Sequence, residues 1–205
     1  MEIVKFFQTG GPFMYPILIV LALGVAIAVE RFLYISKTER GTKKLWAQLV
    51  SHLKASDYAN AKSVTGTLSS PLALVLNYGF ARQGANGNRD DIESAMEEGM
   101  MEVMPALEQR THYLATFANI ATLLGLLGTI IGLIQAFTAV AAADPAEKAD
   151  LLSASISVAM NTTAFGLMAA IPLILIHSYL ATKTARLVDN LEMAAVKCLN
   201  LMTKD

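Results

Sequence analysis

Two apolar stretches of the chain carry hydrogen-bonding side chains where plain lipid-facing residues would serve, and those side chains are the first candidates for chemistry. One stretch reads LLGLLGTIIGLIQAF, with a single hydroxyl, Thr129, among Gly125, Gly128 and Gly132. The other holds Asn161, Thr162 and Thr163 in succession, followed by Gly166. Hydrogen-bonding groups at this density would be poorly placed facing lipid. The same groups also serve as packing residues that bond their own helix backbone, and that reading is preferred for Ser153, Ser155 and Ser157 near the outer end. No Asp, Glu, Lys or Arg occurs from 115 to 143 or from 151 to 181. A proton relay needs a carboxylate or histidine at depth. His177 lies near one end of its stretch and reads as an interfacial group. If ions cross here, the titrating group belongs to another chain.

The elements that must position these residues are membrane spans. A chain of 205 residues that is 54% hydrophobic and 16% charged is too apolar for an ordinary soluble domain. A helix needs about 20 residues to cross a ~30 Å hydrocarbon core. Residues 13–29 form a first uncharged segment, ended by Glu30 and Arg31. It spans ~26 Å as a helix, which suffices with its flanks. Only Lys5 precedes it and no small-x-small cleavage site follows, so a retained span is expected rather than a signal peptide. In the second span Gly125, Gly128 and Gly132 let neighbouring backbones approach, the means by which helices associate in lipid. In the third, Ser155, Ala159, Thr162, Thr163, Gly166 and Ala170 fall near one face, which is expected to look into protein or water. In an antiparallel pair Thr129 and residues 161–163 share one depth.

Lys and Arg cluster after the first span, before the second and after the third. This places the N-terminus outside and the C-terminus in the cytoplasm. The expected organisation is an N-terminal segment with the first span (1–32), a cytoplasmic helical region (33–112), a second span (113–143), a periplasmic hairpin (144–150), a third span (151–182) and a cytoplasmic C-terminal helix (183–205). The fold class is all-α, an integral membrane protein with three transmembrane helices, two of them extended into the cytoplasm. Residues 36–82 read as several short amphipathic helices. A turn is expected over 83–88, and Asn88 is placed to cap a helix with Asp90 and Asp91 in its first turn. That helix is expected to run on into the second span, with Pro105 as a kink. Leu187, Leu191, Ala194, Ala195, Cys198 and Leu201 form an apolar face continuing the third.

With GGPFMYPI opening the first span, ERFLYI closing it, LLGLLGTIIGLIQAF in the second and TTAFGLMAAIP in the third, the chain resembles the MotA/TolQ/ExbB family, specifically its three-span ExbB and TolQ branch. The resemblance covers nearly the whole chain. It implies a homopentamer around a dimer of a single-span partner like ExbD or TolR, whose span supplies an aspartate as the ion carrier. It further implies that proton or sodium motive force is passed to a TonB-like or TolA-like protein acting at the outer membrane. By motif position, Thr129 and Thr163 match the pore-facing threonines of that family. One departure stands out: Val158 occupies the place where the family pattern has a glutamate, and Asn161, Thr162 and Thr163 replace its usual aliphatic residue, alanine and threonine. The threonine pair resembles that of sodium-driven flagellar stators, so sodium stands beside the proton as the coupling ion.

The alternative from another class is a non-conducting membrane scaffold, in which the glycines and threonines serve packing alone. An enzyme is not expected: no nucleophile with its base, phosphate-binding loop or paired carboxylates at depth is visible. Neither is a cofactor or metal, because the one cysteine stands apart from any ligand cluster. A net charge of −1 without basic runs interleaved with aromatics excludes a nucleic-acid partner.

Overall fold

The computed structural model describes residues 10–85 and 87–203. Among them the chain is helical apart from short connections, with no strand. The helices are α1 (Met14–Lys54), α2 (Tyr58–Gly66), α3 (Pro71–Gly84), α4 (Arg89–Glu108), α5 (Thr111–Ala142) and α6 (Lys148–Met202). Three helical regions, α1, α4 with α5, and α6, contain stretches long and apolar enough to cross a membrane. The expected all-α class with three such helices is what the chain adopts. Lys5 and Asn86, which entered the topology and turn readings, lie outside the described residues.

The chain divides into two compact units. One comprises Met1–Glu30 with Arg110–Tyr179, the other Arg31–Gln109 with Leu180–Asp205. Their burial patterns are opposite. In the first unit alanine and glycine dominate the interior, at Ala118, Ala121, Gly125, Gly128, Ala159, Gly166, Ala169 and Ala170, while Leu123, Ile134, Phe137, Ile171 and Leu175 are exposed. Small residues inside and large apolar residues outside is the arrangement of helices packed in lipid. In the second unit Leu45, Leu49, Leu53, Leu72, Leu76, Phe80, Leu187 and Leu191 are buried, and the Lys, Arg and Glu side chains other than Arg31 are partly or fully exposed. That is the arrangement of a domain in water.

Two local departures from the sequence expectations have physical causes. Residues 36–54 are not a separate short helix; α1 runs unbroken from the apolar stretch to Lys54. Ile35, Thr42, Leu45, Leu49 and Leu53 recur on one buried face, so the water-side stripe continues the helix. It ends where Ser56 takes a left-handed φ of 54°. Asp57 then caps α2 through Asn60 N–H, and Ser70 caps α3, with Pro71 in its first turn.

Second, Asn88 caps α4 as expected, in a capping box with Asp91, but the helix does not run on into the apolar stretch. Pro105 lies inside α4, and the break comes at Gln109 and Arg110, the latter at φ 65°. The Arg31 guanidinium accounts for this stop. Its Nη1 donates to the carbonyls of Ala106 and Gln109, both at 3.1 Å, at the negative end of α4. Its plane lies against the Tyr34 ring, with the charge centre 4.6 Å from the centroid. Arg31 is only 1% exposed. It caps a helix other than its own.

The continuation of the third span is as expected: α6 runs for 55 residues, about 80 Å, through Pro172 and past its apolar part. Beyond that part, Lys183 donates to Ser36 at 2.7 Å and pairs with Glu39 at 3.6 Å, holding α6 to α1 within the second unit. The hydrogen bond from Lys43 keeps the Glu39 carboxyl below its usual range, and Lys183 adds to this. Tyr58 donates to the Leu201 carbonyl near the end of α6. Cys198 is fully buried, its thiol pushed up to about 12 by desolvation, and behaves as a small apolar residue.

Replacing Arg31 by alanine leaves two carbonyls at the end of α4 without their charged donor. Chemical denaturation of the detergent-solubilised protein should register a loss of about 2 to 3 kcal/mol. Arg31→Lys should recover only part of it, because an ammonium lacks the planar fork and the ring contact.

Candidate functional site

The site expected from sequence lies in the first unit, where α5 meets the apolar part of α6. Interhelical distance is set by glycine. A Cβ at Gly166 would lie 2.7 Å from the Ala121 carbonyl oxygen and 3.0 Å from Gly125 Cα, and one at Gly125 would lie 3.3 Å from Gly166 Cα and from Thr163 Cα. The obstructing atoms are backbone, so nothing can rotate away. At Gly128 a Cβ would strike the Thr162 side chain, and at Gly132 it would come 3.0 Å from Ala159 Cβ. All four glycines singled out for packing therefore stand along one seam, facing Ala159, Thr162, Thr163 and one another.

Close approach lets side-chain hydroxyls reach across. Thr163 Oγ1 donates to the Gly125 carbonyl at 2.8 Å, a bond between α5 and α6. Thr162 Oγ1 lies 2.6 Å from the Gly10 carbonyl and 3.0 Å from its own helix's Val158 carbonyl, and Thr162 is 2% exposed. It ties the segment leading into α1 to α6. That tether depends on the Gly11 backbone, whose φ of +74° suits only glycine comfortably as the chain turns into α1. Gly24 fixes a further contact, since a Cβ there would lie 2.7 Å from Leu173 Cδ2.

Thr129 is placed differently. It is half-buried, and its hydroxyl donates to the Leu126 carbonyl of its own helix at 2.6 Å. Asn161 is half-buried too, and its amide makes no hydrogen bond among the described residues. Thr162, Thr163 and the glycines are thus brought together in one seam, while Thr129 and Asn161 are not joined to it by a hydrogen bond. Chemically, each threonine proton is committed to a backbone carbonyl, which leaves the oxygen's lone pairs as its outward function. Oxygens so oriented can accept from a proton donor or ligate a hard cation. Thr163 and Thr129 retain partial exposure for this; Thr162 is enclosed. Among the described residues, no group of His, Cys, Asp or Glu could hold a metal ion.

Sequence reading did not anticipate the Gly10 to Thr162 bond or the Arg31 cap. The acceptors, Gly10, Ala106 and Gln109, are all main-chain carbonyls, which leave no mark on residue type. The Glu30 and Arg110 pair, 3.9 Å apart and well exposed, contributes little energy.

Comparison with known proteins gives consistent results. The family model described as the MotA/TolQ/ExbB proton channel family matches residues 67–193. The chain is 28% identical to a putative biopolymer transport protein ExbB homolog of Methanothermobacter thermautotrophicus, over 93% of this chain and 67% of that protein. It is 27% identical to the biopolymer transport protein ExbB of Salmonella typhimurium, over 74% of this chain and 63% of the other. It is 35% identical to the Tol-Pal system protein TolQ of Haemophilus influenzae over a shorter region, 43% of this chain and 39% of TolQ.

The seam makes a sharp prediction about glycine. Gly166→Ala should force α5 and α6 apart and lower thermal stability in detergent by about 1 to 3 kcal/mol. Gly84→Ala, where an added Cβ meets nothing within 4 Å, should leave it within about 0.5 kcal/mol of the parent.

Proposed function

The chain belongs to the MotA/TolQ/ExbB proton channel family, and we propose that it is the multi-span subunit of an ion-driven complex in the bacterial inner membrane. In this reading several copies, five by resemblance to the family, surround a dimer of a single-span protein of the ExbD or TolR type. Ion flow drives that partner and so energises biopolymer transport or envelope work through a TonB-like or TolA-like protein. The N-terminus lies in the periplasm and the C-terminus in the cytoplasm, as the distribution of Lys and Arg favours.

The observation that carries the proposal is the pair of partly exposed threonine oxygens, Thr129 and Thr163, on glycine-packed helices whose apolar parts hold no carboxylate of their own. Such a surface can line an ion path but cannot carry a proton along it. The titrating group then comes from a second protein, as a stator and partner arrangement requires. Each ion crossing ~150 mV releases about 3.5 kcal/mol, so a few ions suffice for a conformational step.

Sodium coupling is favoured by one feature, the unpaired Asn161 amide next in sequence to two threonines, with Val158 where the family pattern has a carboxylate that would serve protons. Partner-driven transport that requires sodium and fails in potassium supports it; transport indifferent to sodium assigns the proton. The scaffold reading is separated by Thr163→Val. Loss of ion-driven work with assembly intact is expected, at a stability cost of only about 1 kcal/mol for the missing interhelical bond, whereas full activity would leave the threonine a packing residue. Native mass spectrometry of the purified chain, alone and with its single-span partner, should return five copies and, with the partner, two more chains. A monomer under mild detergent would remove the central path.

A further inference from the structure

The second unit carries two exposed, unsatisfied surfaces of opposite character. The first is a groove of about 460 Å³ between α4 and the end of α6, lined by Met101, Met104 and Val196 and by the acids Glu93, Glu97 and Glu192. Met101 is 71% exposed and Val196 52%, unusual for large apolar side chains on a water-facing domain. The second is a basic stripe on α1. Lys37, Arg40 and Lys44 stand at i, i+3 and i+7, within about 60° of arc on an ideal helix. All six charged side chains are exposed, and none forms an ion pair among the described residues. Gly41 lies on the same face as the stripe, and a Cβ there would meet nothing within 4 Å. A helix-interior glycine lowers stability by about 1 kcal/mol relative to alanine, and nothing in its own chain needs the space.

We propose that the groove of one copy receives α1 of a neighbouring copy, with Lys37, Arg40 and Lys44 against Glu93, Glu97 and Glu192 and the flat surface at Gly41 against the methionines. This rests on the oligomeric reading above and specifies its contact outside the bilayer. Two different surfaces of one chain make a head-to-tail interface, which generates a ring when its rotation closes. Copies in one membrane share orientation and depth. The Lys183 to Ser36 hydrogen bond sets the register of α6 against α1 within the second unit; Lys37 to Lys44 lie about 2 to 12 Å past Ser36 and Glu192 about 14 Å past Lys183, so the two surfaces stand at similar heights. Methionine side chains adapt to a glycine-flattened helix face. Opposed charges around them fix the register of the contact.

The test is crosslinking in membranes between differently tagged chains carrying Lys37→Cys or Met101→Cys, using a short bismaleimide, with native mass spectrometry of the same samples. The buried Cys198 should not react. Adducts joining Lys37→Cys to Met101→Cys are expected, and a chain bearing both should give a ladder beyond the dimer. Glu97→Lys should lower the adduct yield about tenfold, with recovery when the neighbour carries Lys44→Glu. Gly41→Leu should abolish the adducts without unfolding the chain. Adducts between two Met101→Cys sites, or an intact oligomer with no adduct and no response to charge reversal, would overturn the interface while leaving the oligomer standing. A monomeric mass would remove the oligomeric reading itself.

Discussion

The rest of the first unit depends on how closely two helix backbones approach at Gly125 and Gly166. In lipid the hydrophobic effect does not press helices together, so association relies on dispersion contacts and hydrogen bonds, both of which fall off within an ångström or so. Glycine at both sides of the crossing brings Cα against Cα. Only at that separation does the Thr163 hydroxyl reach the Gly125 carbonyl, and only then do Thr162 and Ala159 fit beside Gly128 and Gly132. The positions of the oxygens that could meet an ion follow from the missing side chains.

A different constraint governs the second unit, where leucines sequester themselves from water and charges face out. Its critical polar element is Arg31, buried where α1 leaves its apolar stretch. A guanidinium there would be strongly unfavourable without partners. The carbonyls at the end of α4 supply them, and in accepting its hydrogen bonds they end that helix before the next apolar stretch begins. One arginine thus satisfies both its own charge and the open end of a helix from elsewhere in the chain.

The inversion between the units also explains why exposure means different things along this sequence. An exposed Phe137 or Leu175 in the first unit needs only lipid around it. An exposed Met101 or Val196 in the second has no such solvent, which is why the groove they line, with its unpaired acids, is the surface left incomplete by a single copy.

Sequence alone determined the features that depend on composition and period. Three apolar stretches of spanning length, the small-residue face holding Ala159, Thr162, Gly166 and Ala170, the Asn88 cap and the absence of a carboxylate at depth were all legible, because burial in lipid and helix geometry act on residue type directly. The family motifs were legible for the same reason. Tertiary structure decided whatever depended on a main-chain partner. Thr162 reaching Gly10, Thr163 reaching Gly125 and Arg31 ending α4 all use carbonyl oxygens that every residue possesses. It also decided that α1 continues to Lys54 and that the break falls at Arg110 rather than Pro105. Helix ends are set by what satisfies their last four carbonyls, and here that donor lies about 75 residues away in the sequence, beyond the reach of local pattern.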